Sequence, residues 1–217
     1  MRFTSKKFLV LFALFILPLI FYLFLSSGIN NFAKLPVVTK SVGDISLIDS
    51  TNTHTFKSKI SVVCFLGNDM QSVKGGFFNL NQKIYKPFYG FKDFQLIAIY
   101  PKSKHAEAAI IEKEIGAFTD MAKWKFVSAS DEEIKIIFDS FKTNGSLANL
   151  YTNKAFLIDK EGNLRGRNDD KDTVNGTLFG YNMQSVAELN KKMKDDVKVV
   201  LAEYRLALKK NNADREI

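Results

Sequence analysis

Chemistry-bearing side chains are scarce in this chain of 217 residues, which holds one cysteine, two histidines and one tryptophan. A single cysteine excludes an internal disulfide, a dithiol redox pair and a multi-thiolate zinc site. Stability must then come from an apolar core, and 46% hydrophobic residues are enough to build one. Cys64 lies inside the apolar run Ile60 to Leu66 (ISVVCFL) rather than in the loop that follows. Apolar neighbours make a thiol less reactive, and a free cysteine commonly acts as a small core hydrophobe, so a structural role is expected. His54 and His105 fall in an early turn region and at a helix start. Neither has a thiol or carboxylate cluster at ligand spacing, so no metal site, cofactor or catalytic residue is expected. Proline is also sparse, at positions 18, 36, 87 and 101. No repeat or low-complexity stretch occurs.

Charge of one sign is not concentrated either. The formal net charge is +8, yet the signs interleave: from Glu188 onward there are eight Lys/Arg and six Asp/Glu. That pattern suits the solvated face of a helix and argues against nucleic acid as a partner. Uncharged length is found in one place. Phe8 to Leu25 form an unbroken apolar run of 18 residues, and a helix of that length spans roughly 27 Å, enough for a hydrocarbon core. Pro18 is tolerable there. Arg2, Lys6 and Lys7 precede the run and no basic residue follows until Lys34, which places the bulk of the chain outside the cytoplasm. A cleaved signal peptide, cut near Ser26-Ser27-Gly28, is the rival. Its apolar core is usually only about 7–15 residues, so an uncleaved single-pass anchor in the inner membrane with a periplasmic domain is expected. The divisions expected are a basic stub (1–7), the anchor (8–26), a tether (27–43), a folded domain (44–210) and a flexible tail (211–217).

Within the domain, Ile45–Ile48 and Thr53–Lys57 flank polar turn residues and predict a hairpin. Ile60 to Leu66 and Phe94 to Tyr100 are continuous apolar runs that predict strands buried on both faces. After Gly75-Gly76, apolar residues at 77, 80, 84, 88 and 91 predict a helix; 110, 111, 115 and 118 predict another. Trp124–Val127 predicts a short strand, and Ser130 with Glu133 predicts a capping box opening a helix through Phe141. Lys154–Asp159 turns through Lys160-Glu161-Gly162-Asn163 into Leu164–Arg167. A stripe at Val186, Leu189, Met193, Val197, Val200, Tyr204 and Leu208 predicts a final covering helix. This order predicts an α/β fold, a thioredoxin-like sandwich with a central mixed sheet flanked by helices, behind one N-terminal transmembrane helix.

On ISVVCFLG, WKFVSASDEEIKIIFDSF and KAFLIDKEGNLRG, the chain resembles the SCO/SenC group of thioredoxin-like proteins over roughly Ile45 to Leu208. That resemblance implies a membrane-tethered relative of proteins that deliver copper to cytochrome oxidase. It also implies where chemistry should sit. The family's C-x-x-x-C falls near Asp69–Met70 and Val73–Lys74, and its histidine falls in Leu150-Tyr151-Thr152-Asn153. None of those residues is a cysteine or a histidine, and the proline that thioredoxins place before the KAFLID strand is missing. Soft Cu(I) prefers sulfur ligands, and a carboxylate, an amide and the lone Met70 are a poor substitute.

The expectation is therefore a non-catalytic binding or assembly module, with cytochrome oxidase subunits or their assembly factors as clients of the resemblance. The alternatives are a copper chaperone or thiol enzyme with unusual ligands, and a purely structural envelope protein. Asn68, Asp69, Met70 and Gln71, with Phe78, Tyr85 and Tyr89 of the following helix, form the candidate partner surface, because aromatics concentrate in interface cores. The acidic loop Asn168–Asp172 lacks calcium-loop spacing and reads as a solvated turn, with Arg165 and Arg167 as the expected partners of its carboxylates.

Overall fold

The computed structural model describes residues 5–26, 34–49, 53–173 and 175–213. Most of the stub, tether residues 27–33, the turn at 50–52 and the last four residues of the tail lie outside that set. Two compact units divide after Ala33. The first contains α1 (Ser5–Ser26), 22 residues with Pro18 inside, whose Lys7–Phe24 stretch is long and apolar enough to cross a membrane.

The second unit is an α/β sandwich. In chain order its strands are β1 (Val37–Thr39), β2 (Ile60–Phe65), β3 (Phe94–Pro101), β4 (Trp124–Ala129), β5 (Lys154–Ile158), β6 (Leu164–Arg165) and β7 (Tyr181–Asn182). They form one mixed sheet in the order β1-β6-β5-β2-β3-β4, with β7 pairing β5. β2, β3 and β4 run parallel, with Ile60 opposite Phe94 and Leu96 opposite Trp124. β5 is antiparallel to β2 and turns back into β6.

The apolar runs become central strands because each strand feeds two cores. Ile60, Val62, Cys64 and Leu66 join one cluster with Leu96, Ala98 and Leu157, under α2 (Met70–Leu80), α4 (His105–Gly116) and α7 (Lys194–Ala213). Val63 and Phe65 join the other, with Ile97, Ile99 and Phe156, under α5 (Asp131–Ser140). Phe65, Phe138, Phe141 and Phe156 meet edge to face at 5.1–6.1 Å, which adds to their burial. The capping box at α5 forms as predicted: Ser130 N donates to Glu133 Oε2 at 2.7 Å and Glu133 N to Ser130 Oγ at 3.3 Å.

Four expectations about the elements change. Residues 34–43 belong to the folded domain rather than to a tether. Val37 and Thr39 pair with β6, Leu35 and Val42 are buried, and the Thr39 hydroxyl donates to Phe141 O at 2.7 Å. Second, no strand forms among the described residues of 45–57. A 3-10 turn at Ile45–Leu47 is capped by Asp44, whose carboxylate also accepts from the Thr55 hydroxyl and Phe56 N. Asp44 is partly buried, which alone raises its pKa, but these donors outweigh burial and hold it below the usual carboxylate range. A second aspartate, Asp49, accepts from Thr53 N and His54 N. Third, the helix expected after Gly75-Gly76 begins earlier, at Met70, and continues through a π-helical turn (Asn81–Tyr85) into α3 (Lys86–Phe88). Fourth, the covering helix starts as α6 (Val186–Glu188) and passes through a second π-helical turn (Leu189–Met193) before α7. Leu189, Met193, Val197 and Val200 are buried as the stripe requires, while Val186 is left exposed.

One buried cation ties the start of the domain to its end. Arg165 Nη1 reaches Asp159 Oδ2 at 3.1 Å, Nη2 reaches Glu203 Oε2 at 2.7 Å, and Nε donates to Leu35 O at 2.9 Å. Glu203 Oε1 also accepts from Leu35 N at 2.7 Å. The expectation that Arg165 and Arg167 pair with the 168–172 loop is thus corrected. Arg167 binds Asp196 through Nε at 2.7 Å, and Lys192 takes the loop's Asp170 and Asp172, each at 2.7 Å.

Candidate functional site

The resemblance drawn from the sequence implies a reactive loop at the edge that follows β2. Leu66 bridges Tyr151 across that edge, and Asn68 N donates to Asn149 O at 3.0 Å. Between them the backbone turns at Gly67, with φ +69°. A Cβ there would fall 2.4 Å from the Tyr151 Cβ, so glycine is required by both conformation and space. The facing loop is itself strained: Asn149 and Leu150 have φ of 50° and 64°. The left-handed region is unfavourable for a branched residue such as leucine, and burial of the Leu150 side chain holds it there.

Asp69 caps α2, its carboxylate accepting from Ser72 N at 3.4 Å. Met70 is fully buried in the same cluster as Cys64 and Leu66. Val73 packs on that cluster from the half-exposed side, and Lys74 reaches outward to Glu114 at 3.3 Å. A second close approach seals the far side of the helix. A Cβ on Gly76 would lie 3.1 Å from Met183 Cβ, and Gln184 Nε2 donates to Val73 O at 3.2 Å and to the Tyr151 hydroxyl at 3.3 Å. Burial pushes the Tyr151 phenol up. Burial likewise pushes the Cys64 thiol far above its ordinary range. The positions where ligands were sought therefore hold a helix cap, a buried thioether, a packed valine and a solvent-facing lysine, with Tyr151 and Gln184 lying across them.

The seven residues of the expected partner surface do not form one surface. Asn68, Asp69 and Gln71 stand at the turn, partly or fully exposed. Met70 and Tyr85 are fully buried, and Phe78 is half-buried against the core. The Tyr85 hydroxyl donates to Asp120 O at 2.8 Å and accepts from Lys123 N at 3.0 Å. Tyr89 is 44% exposed, but it lies about 28 Å along the helical stretch from Met70. The core stripe Phe77, Leu80, Ile84 and Phe88 is buried as its spacing predicts, but the π-helical turn at Asn81–Tyr85 departs from that spacing, and Tyr85, expected off the stripe, is buried with it. Beside Asn68 opens a polar groove of about 500 Å³ lined by Asp131, Lys135, Asp139 and Asn149. The packing of Tyr151 and Gln184 over this edge has no local signal in the sequence, because it depends on contacts 33 to 111 positions apart.

His54 Nδ1 lies 2.7 Å from Asp49 Oδ2, and His105 Nδ1 lies 2.8 Å from the Tyr100 hydroxyl. Among the described residues, no group of three His, Cys, Asp or Glu side chains is arranged to hold a metal ion.

No protein-family model matches this chain, and no curated protein matches it. Solved structures do. BsSco, a member of the Sco family of cytochrome c oxidase assembly proteins, matches with 12% identity and a TM-score of 0.53, covering 77% of this chain and 98% of that one. A SCO1/SenC family lipoprotein from Bacillus anthracis has 14% identity, covers 80% and 99%, and has a TM-score of 0.46. A thiol:disulfide interchange protein of the thioredoxin family from Chlorobium tepidum has 15% identity, covers 76% and 99%, and has a TM-score of 0.43. The fold is thioredoxin-like. Within that class it is similar to the fold of Sco proteins.

Proposed function

We propose that this chain is a single-pass membrane protein whose extracytoplasmic, SCO-like domain works as a binding or assembly module near cytochrome oxidase biogenesis, without thiol or copper chemistry of its own. The observation that carries this reading is the closed edge after β2. Met70, Val73 and Tyr151 fill it, and the one thiol lies beneath them with no exposed surface. A reactive thiol needs access and a lowered pKa, and Cys64 has neither. The likeness to BsSco suggests the context, and the basic residues before α1 suggest the outward orientation of the domain. Recognition at the Asn68–Gln71 turn and the adjoining groove replaces group transfer. Anchoring raises the effective concentration for a client in the same membrane.

The test is a photo-crosslinking residue at Gln71, placed in the full chain in its native membrane. Capture of oxidase subunits or their assembly factors, together with reduced oxidase activity on deletion, is the expected result. Undiminished oxidase activity on deletion favours a purely structural envelope protein.

A further inference from the structure

The opposite end of the sheet carries a second feature. Backbone bonds draw three loops together there: Ile60 N donates to Asp93 O at 2.8 Å, and Ser58 N donates to Lys160 O at 2.9 Å. The loop that follows α3 exposes Tyr89 (44%) and Phe91 (45%) on either side of Gly90. Phe91, Lys92, Lys160, Tyr204 and Arg205 line a cleft of about 340 Å³ beside them. Lys160 is engaged by Asp93 at 2.5 Å. Lys57, Lys59, Lys92 and Arg205 have no ion-pair partner among the described residues. Of the carboxylates nearby, Asp93 is paired with Lys160 and Glu203 with Arg165, and Glu161 accepts from the neutral Tyr204 hydroxyl. Two exposed aromatics, with Lys92 and Arg205 on the same cleft and Lys57 and Lys59 on the adjoining loop, match the chemistry of a bilayer interface, where aromatic rings sit at headgroup depth and basic residues meet anionic phosphates.

The course of the chain points to the same occupant. Leu35, the second described residue after the anchor, is bonded to Glu203, one position from Tyr204 in the cleft. The eight residues 27–34 between α1 and Leu35 extend at most about 29 Å.

We propose that Tyr89, Phe91 and the surrounding Lys57, Lys59, Lys92 and Arg205 form a peripheral contact with an anionic phospholipid surface. The contact rests on the anchor reading and deepens it. The six residues of β2 separate this patch from the Asn68–Gln71 edge by about 20 Å, so the two surfaces are distinct.

The test uses the full chain in nanodiscs of phosphatidylcholine, with and without phosphatidylglycerol. The only native thiol is fully buried, so a polarity-sensitive dye can be placed through Gly90→Cys, where an added Cβ meets nothing within 4 Å. Gly145→Cys, where the nearest atom is 3.8 Å away, supplies a control at the groove end. The expected result is quenching at position 90 by headgroup-nitroxide lipid, at least about tenfold stronger in anionic discs. It should collapse at 1 M salt, where screening shortens to about 3 Å, and in the Lys59→Glu/Lys92→Glu variant. Position 145 should remain unquenched. Equal quenching at both positions, none at 90, or no dependence on lipid charge overturns the contact. Retention of the chain in discs at 1 M salt reports the anchor separately. A retained chain with position 90 unquenched at low salt refutes the contact alone, and a chain that is quenched at low salt but released at 1 M salt refutes the anchor alone.

Discussion

The two ends of β2 are held by different physics. At the amino end, charged groups do the fastening: Arg165 joins Asp159, Glu203 and the incoming Leu35, and Lys160 takes Asp93. At the carboxyl end, fit does it, with Gly67 under Tyr151, Met70 over Cys64 and Gly76 against Met183. The difference teaches that the two ends answer to different perturbations, loss of charge at one and loss of fit at the other. Polar contacts at the carboxyl end are the Asp69 cap and the Gln184 bonds to Val73 O and the Tyr151 hydroxyl, whereas the amino end is held by buried charge.

The largest expected effect breaks the amino end. Arg165→Ala leaves Asp159 buried without its cation, and loss of one partner of a buried pair costs about 3–5 kcal/mol. Urea unfolding monitored by circular dichroism measures it. Gly67→Ala breaks the carboxyl end by steric conflict, with a loss of about 1–3 kcal/mol for an unfavourable backbone region and a contact the neighbour must yield to. The same urea titration checks that value, and a wild-type midpoint would show that the edge is looser than described.

Acid sharpens the contrast by direction. The Lys160 hydrogen bond holds Asp93 below the usual carboxylate range. Burial raises Asp170, but Lys192 and the Asp172 N–H outweigh it and leave Asp170 low as well. A depressed carboxylate contributes stability that is complete above its unfolded value near 3.9 and is lost as pH falls through the lower folded value. Glu161, raised by burial and by Asp159, offsets part of that loss. Thermal unfolding should therefore be level above about pH 5 and fall steeply toward pH 2. Lys160→Met should flatten the acid limb.

The smallest effect is expected at Trp124, whose buried indole N–H has no partner. An unsatisfied donor costs about 1–3 kcal/mol, which offsets the packing that Trp124→Phe removes, so the urea midpoint should move by no more than about 1 kcal/mol equivalent.

Much of the sheet was legible in the sequence. Ile60 to Leu66 and Phe94 to Tyr100 are apolar without interruption, and such runs have few alternatives to a doubly covered strand. The Ser130–Glu133 box was legible because both halves are local. What escaped was non-local. Leu35 and Val37–Thr39 join the fold through Arg165, roughly 130 positions on, and no local pattern marks them as a strand. Asp44 and Asp49 gather donors up to 12 positions away, so a segment with hairpin-like composition folds as capped turns. At the candidate site, the missing thiols and imidazole were plain from composition. The closing of the edge by Tyr151 and Gln184, and the burial of Met70 and Tyr85, depend on how α2 is rolled against the sheet, and periodicity alone does not fix that.

The most direct measurement is a Cu(I) titration of the detergent-solubilised full chain against a competing chelator, run beside Met70→Ala. Indistinguishable curves with no stoichiometric uptake are predicted, because Met70 and Cys64 are sealed in the core. One-to-one binding that outcompetes the chelator and disappears in Met70→Ala would contradict the account.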